Sequence, residues 1–313
     1  MQGIEFRKEF ESLVEKQGFR GKILSIEHVK ELQEEIAALH NKNLLDKELY
    51  RAYLASFDFE CQKKLANARS LIIVTVPQPQ VRVTFVAEDQ HYPVVIPPTY
   101  FLSTDHHAAD LLGAYFGPRG YQLQKVRLPD KLLAVRSGLA QYGRNNITYV
   151  AGMGSFHRSV VFISDVPCAQ DGWGEPSALD LCENCKACAK ACPTAAIGAD
   201  RFLLHAERCL TFHNERPNDF PKWLSPAWHN SLVGCMICQK VCPANKDFIG
   251  WIEKGPIFDN EETALLMKGA SEDHLSGSTK EKLKKLGLME YLKVIGRNLS
   301  AVLANQLHPP ARG

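Results

Sequence analysis

Cys182-Glu-Asn-Cys185-Lys-Ala-Cys188-Ala-Lys-Ala-Cys192-Pro193 sets four cysteines at spacings of two, two and three intervening residues, with a proline after the last. Such a run bends a short loop so that three thiolates face one side of a [4Fe-4S] cube, and the fourth conventionally leaves for another cube. A degenerate second copy follows as Cys235, Cys238 and Cys242-Pro243, and Cys209 upstream supplies the member this run lacks. The eight thiols make two sets of four. By the crossed wiring of two-cluster ferredoxins, Cys182, Cys185, Cys188 and Cys242 go to one cluster, and Cys192, Cys209, Cys235 and Cys238 to the other. CxxC pairs also hold structural zinc, but zinc sites do not usually use the CxxCxxCxxxCP run. Cys61 and Cys168 fall outside the pattern and read as ordinary thiols.

Eight of the ten cysteines lie between Cys182 and Cys242, which argues for metal over disulfides. No apolar export segment is visible in the first ten residues, so a cytoplasmic, reduced location is expected. The purest apolar run, Leu71 to Val76, falls far short of the ~20 residues of a spanning helix, and no membrane association is expected. With 45% hydrophobic and 23% charged residues, the 313-residue chain is of the globular class and long enough for two domains with a core of their own. Any metal is therefore functional. A net charge of +2 creates no field that would point to a polyanion.

The pattern outside the cysteines is mixed α and β. Ile26, Val29, Leu32, Ile36 and Leu39 recur at helical spacing with Ser25 as N-cap, and a second helix is expected over 45–55. Ser70 to Val76 is rich in β-branched residues and Val81 to Val86 alternates; both read as strands of one central sheet. A helix capped by Asp105, a strand over 121–127, a helix over 131–142 and a strand over 159–164 follow. The expected divisions are a helical region over 1–66, a cofactor-binding α/β core over 67–170, a double-cluster segment over 175–247 and terminal helices over 248–313, with a frayed tail from His308. Gly152-Met-Gly154 lacks the third glycine of a dinucleotide fingerprint, and there is no Walker A lysine motif.

Several stretches together resemble the epoxyqueuosine reductase family, which shares its cofactor architecture with the corrinoid-dependent reductive dehalogenases. Leu133-Ala-Val-Arg-Ser-Gly-Leu-Ala-Gln-Tyr-Gly-Arg-Asn-Asn146 is similar to the LAxRAGLGxxGK/RN stretch of that superfamily, and Gly154-Ser-Phe156 to its GS-aromatic element. Tyr100 and Asp105-His-His107 match a Y-x4-DYH segment, Cys188 to Ile197 a CxxACPTGAI run, Arg208 to Phe212 an RCISY run, and Gly234 to Asn245 a GCDxCQxVCPWN run. Gly296-Arg-Asn298 has a counterpart in the first helical repeat after the clusters.

The resemblance implies a nitroreductase-like α/β domain that binds cobalamin, followed by two [4Fe-4S] clusters fed by a low-potential donor of ferredoxin or flavodoxin type. It favours cofactor or substrate-pocket contact for His107 and places Ser155 among the cofactor candidates; Arg136, Gly138, Gly143 and Asn145 are read as approaching the corrinoid, the glycines allowing close backbone contact, with a helix ended by a glycine cap as the equal alternative. The family's general acid stands at the end of the strand before the LAxRAGL helix, but here that stretch reads Gln124-Lys-Val-Arg-Leu-Pro-Asp130 and holds no acid at the position. Asp130, Tyr142 and Tyr100 are the candidate proton donors, tyrosines having that role in the dehalogenase relatives. The helical repeats that read tRNA in the family correspond to one remnant ending near Asn305. With the near-neutral charge, this favours a small-molecule or modified-nucleoside substrate over tRNA. The reading is thus a cobalamin-dependent iron–sulfur reductase. The alternative is an electron-transfer or activator protein that reduces a partner's corrinoid, and a third reading places a flavin in the same fold.

Overall fold

The computed structural model describes residues 2–168, 171–198 and 201–307; the tail expected to fray lies outside them. Two compact units are each built from two stretches of chain, Met1–Pro77 with Ser103–Cys185, and Gln78–Leu102 with Lys186–Gly313. The described strands are β1 (Arg20–Ser25), β2 (Ser70–Pro77), β3 (Gln80–Ala87), β4 (Gln90–Ile96), β5 (Leu123–Val126), β6 (Gln141–Tyr142), β7 (Thr148–Tyr149), β8 (His157–Ser164) and β9 (Ile252–Phe258). The α-helices are α1 (Gln2–Lys16), α2 (His28–Asn41), α3 (Lys47–Leu49), α4 (Ser103–Phe116), α5 (Asp130–Arg136), α6 (Ala187–Ala191), α7 (Leu210–Asn214), α8 (Ile237–Lys240), α9 (Asn260–Met267), α10 (Gly277–Lys285) and α11 (Leu292–Leu307). The mixed α/β class read from the sequence is the class observed. None of the described helices is long and apolar enough to cross a membrane.

In the first unit, β1, β2, β8 and β5 form an antiparallel sheet in that order. Successive β2 side chains point to opposite faces. Leu71 and Ile73 join a core with Val29 and Leu32 of α2 and Leu132 and Leu133 of α5. Ile72 and Val74 join another with Phe10 of α1 and Leu112 and Phe116 of α4. A strand covered on both faces has no polar side to show, which is why Leu71 to Val76 reads as an unbroken apolar run.

Several boundaries differ from expectation. Ser25 ends β1 instead of capping α2, and Asp105 lies within the first turn of α4 instead of before it. The helix expected through Tyr142 stops at Arg136. There Gly138 takes a φ of 68°, and the N–H groups of Gly138 and Leu139 return to the Val135 and Ala134 carbonyls, a left-handed C-terminal cap. The freed chain makes the β6–β7 hairpin.

Val81 to Val86 does form a strand, β3, but not in the central sheet. It lies in the second unit between β4, antiparallel, and β9, parallel. Phe85 stacks on Phe258 at 4.8 Å, and Leu266 of α9, Leu283 of α10 and Leu299 of α11 complete that core. β4 and β9 were not legible because they carry Pro93 and Gly255-Pro256, residues that edge strands tolerate.

Candidate functional site

Short turns carry the cysteines. Cys182 and Cys185 belong to the first unit; Cys188, Cys192, Cys209, Cys235, Cys238 and Cys242 belong to the second. Cys188 lies on α6, which ends at Cys192; Cys209 opens α7; Cys238 lies on α8, and Cys242 precedes the turn Pro243–Asn245. α6 packs against α8. Cys192, Cys209 and Cys235, three of the four expected in the second set, stand close enough to affect one another electrostatically. Burial pushes the Cys209 thiol up to about 11, with a further push from Cys235; burial also raises Cys235, and Cys192 adds to it. Thiols held protonated this way give up their protons to a cationic metal core, whose field stabilises the thiolates. Sulfur-directed donors are in place: Asn230 Nδ2 lies 3.4 Å from Cys235 Sγ, and Thr194 Oγ1 lies 3.4 Å from Cys192 Sγ. This set of half-buried, hydrogen-bonded thiols fits a soft iron–sulfur core. Among the described residues, no three His, Cys, Asp or Glu side chains converge closely enough to hold a single metal ion.

A buried amide network braces that region. Asn214 Nδ2 donates to the Gly234 carbonyl at 2.8 Å, and Asn298 Nδ2 reaches the carbonyls of Asn214 at 2.7 Å and Leu232 at 2.6 Å. His229 Nδ1 donates to Asn214 Oδ1 at 3.1 Å. Burial, then the Arg297 and His213 charges, push the His229 imidazole down to about 4, so it is neutral at pH 7. Tyr100 also lies in this unit. Its hydroxyl donates to Glu215, and burial, then the Glu215 carboxylate, hold the phenol well above its ordinary range.

The other two candidate donors are in the first unit. Asp130 opens α5, and burial raises its carboxyl pKa against the opposing pull of Lys131 and Arg158. Tyr142, on β6, is raised by burial, by Glu35 and by Asp130 itself, which puts these two groups within electrostatic reach of each other. His157 Nε2 donates to the Thr148 carbonyl at 3.0 Å, and burial pushes this imidazole down to about 4. Lys125, at the strand end where the family's acid was expected, pairs with the buried Asp105, which also receives Arg158 Nε at 2.5 Å.

The cofactor candidates of this unit have different surroundings. Arg136 is paired with Glu35 at 2.7 Å and Glu175 at 3.2 Å. A Cβ on Gly143 would strike the Tyr149 ring at 2.5 Å and Asn145 Oδ1 at 2.6 Å, while Asn145 is buried and donates to the Tyr149 hydroxyl at 3.1 Å. Ser155 is buried. A Cβ on Gly138 would meet nothing, and His107 is exposed. Sequence reasoning missed Asn230, Asn214 and Glu215, whose roles arise only from tertiary proximity; Thr194 carried a signal in its place two residues after Cys192.

Residues 181–245 match the family of 4Fe-4S double cluster binding domains. The chain therefore contains a two-cluster iron–sulfur module. Over 224 residues it is 29% identical to the epoxyqueuosine reductase of Pseudomonas aeruginosa, covering 66% of this chain and 59% of that enzyme. The epoxyqueuosine reductase of a Synechococcus strain is 37% identical over 120 residues, 38% of this chain and 36% of that protein. The chain thus spans at most about three-fifths of these curated relatives. In fold it is similar to the epoxyqueuosine reductases of Streptococcus thermophilus (TM-score 0.66, 17% identity, 97% of this chain and 82% of that one) and Bacillus subtilis (TM-score 0.65, 20% identity, 99% and 86%). In sequence and in fold the chain is therefore similar to the epoxyqueuosine reductases, as its motifs indicated.

Proposed function

We propose that this chain is an iron–sulfur reductase of the epoxyqueuosine reductase type, with two [4Fe-4S] clusters and a cobalamin, acting on a modified nucleoside or small electrophile such as an epoxide. A low-potential protein of ferredoxin or flavodoxin type is the donor. One observation carries the reading: the first unit holds a half-buried carboxyl with a raised pKa, Asp130, within electrostatic reach of Tyr142, together with the first two cysteines of the cluster module. Reducing an epoxide to an alkene takes up two electrons and two protons and releases water, so such a site must hold protons as well as receive electrons.

The clusters, held by the eight thiolates, supply one-electron storage; a corrinoid supplies a low-valent cobalt that is a strong nucleophile and reductant. Gly138 and His107 remain available to a bulky planar ligand, whereas Gly143 and Asn145 are committed to packing around Tyr149. Asp130 keeps its proton at a higher pH than an ordinary carboxyl and is the first donor. Tyr142, within electrostatic reach of it, retains its proton still more firmly. Neutral His157, tied to Thr148, adds no charge to the site. The ion pairs of Asp105 fix Arg158, whose charge tempers the rise in the Asp130 pKa.

The test is an anaerobic titration of the iron-reconstituted protein with cobalamin, read by paramagnetic resonance and visible spectra. A stoichiometric base-off Co(II) signal is expected, and Asp130→Asn should retain it while losing turnover. Absence of binding with both clusters intact would transfer the assignment to an electron-transfer protein that reduces a partner's corrinoid. Lys125, paired with Asp105 at the acid's expected position, is the observation that favours that second reading.

A further inference from the structure

The β6–β7 hairpin does more than turn the chain. Its outer edge pairs with the segment leading into the first cysteine: Tyr142 N–H donates to Ser177 at 2.9 Å, and Leu179 N–H donates back to Tyr142 at 2.9 Å. The hairpin loop is closed by the Gly143 N–H on the Ile147 carbonyl at 2.8 Å. From that loop Arg144 sends Nη2 to the Cys182 carbonyl at 2.6 Å and Nε to the Cys185 carbonyl at 3.2 Å. Both carbonyls belong to residues of the first cysteine set. Among the described residues, no carboxylate forms an ion pair with Arg144, unlike Arg136 and Arg158 of the same unit. A half-buried guanidinium without a carboxylate calls for another source of negative charge.

We infer that Arg144 is the charge partner of the cluster carried by the Cys182–Cys185 loop: a positioning residue that fixes the loop through two carbonyls and sets the potential of that cluster. The inference rests on the cluster reading proposed above. A cubane with four thiolates is net negative and gains one more negative charge on reduction, so a fixed cation stabilises the reduced form more than the oxidised form. Removing the cation makes the cluster harder to reduce.

The test compares Arg144→Gln and Arg144→Lys with the parent full-length protein, by iron content and by paramagnetic-resonance redox titration of both clusters. Arg144→Gln is expected to keep its iron but lower the reduced-to-oxidised ratio of one cluster about tenfold at a given potential, about 59 mV for a one-electron couple. The shift should be confined to the cluster that Cys185→Ser removes, and Arg144→Lys should restore most of it. Unchanged potentials in Arg144→Gln would overturn the inference. If Arg144→Gln fails to assemble that cluster, Arg144→Lys decides: a cluster at the parent potential supports the charge role, and loss in both variants reduces Arg144 to loop geometry. A parent protein that binds no [4Fe-4S] cluster would instead overturn the cluster reading itself, and this inference with it.

Discussion

Asn298, on the last helix, donates its side-chain amide to the main-chain carbonyl of Asn214 at 2.7 Å, and both residues are fully buried. The same nitrogen reaches the Leu232 carbonyl at 2.6 Å. One side chain from α11 therefore ties down the segments that follow Cys209 and precede Cys235. Asn298→Leu leaves two buried carbonyls without their donor, at a cost on the order of 2–3 kcal/mol. A lowered urea midpoint with weaker iron retention is expected; an unchanged midpoint would show that other groups satisfy these carbonyls.

Gly287→Ala should be among the most damaging single-methyl changes. Gly287 has a φ of 67°, and a Cβ there would sit 1.9 Å from the Tyr100 carbonyl oxygen, a main-chain atom with little freedom to retreat. Strain and overlap together should exceed about 3 kcal/mol. Gly277→Ala is the control: it opens α10, has no left-handed φ and would meet no atom, so its melting temperature should match or slightly exceed the parent's.

Two buried imidazoles make stability fall on acidification. His157 and His229 are each pushed down to about 4 by burial, against about 6.5 in an unfolded chain. Between those values the unfolded state binds protons that the folded state refuses, so stability rises with pH across the window and is lost as pH falls through it. Each group accounts for a loss of up to about 3 kcal/mol by pH 4. Denaturant midpoints measured from pH 7 to pH 4 should decline, and His229→Gln should flatten the decline; parallel profiles for the variant and parent would contradict this account.

Under the proposed assignment, Cys238→Ser removes one ligand of the second set. Iron per reconstituted chain should fall from about eight to about four, with four irons per cubane. Retention of about eight irons would refute the ligand assignment.

The double-cluster segment was legible because cysteine spacing is a local property, and β2 because helices on both its faces leave its sequence uniformly apolar. Membership of a sheet is not local. Val81 to Val86 announces a strand by alternation, yet nothing within it tells that its neighbours are β4 and β9 instead of β2. β9 was hidden by Gly255-Pro256, whereas the early end of α5 is the glycine-cap alternative that the sequence offered at Gly138. Arg144 and Asn230 were missed for a different reason: their carbonyl and sulfur partners come from segments the sequence does not bring alongside them.

The parallel pairing of β3 with β9 also governs how the protein is made. Residues 80–96 leave the ribosome as a bare hairpin, and their third strand begins only at Ile252, after about half of the chain has been added. At ordinary elongation rates that is roughly ten to thirty seconds. Throughout it Val83 and Phe85 lack Phe258 and the helices that later cover them. The nascent hairpin is thus an exposed sticky edge, and the yield of folded chain will depend on holding chaperones and translation speed as much as on the stability of the finished protein.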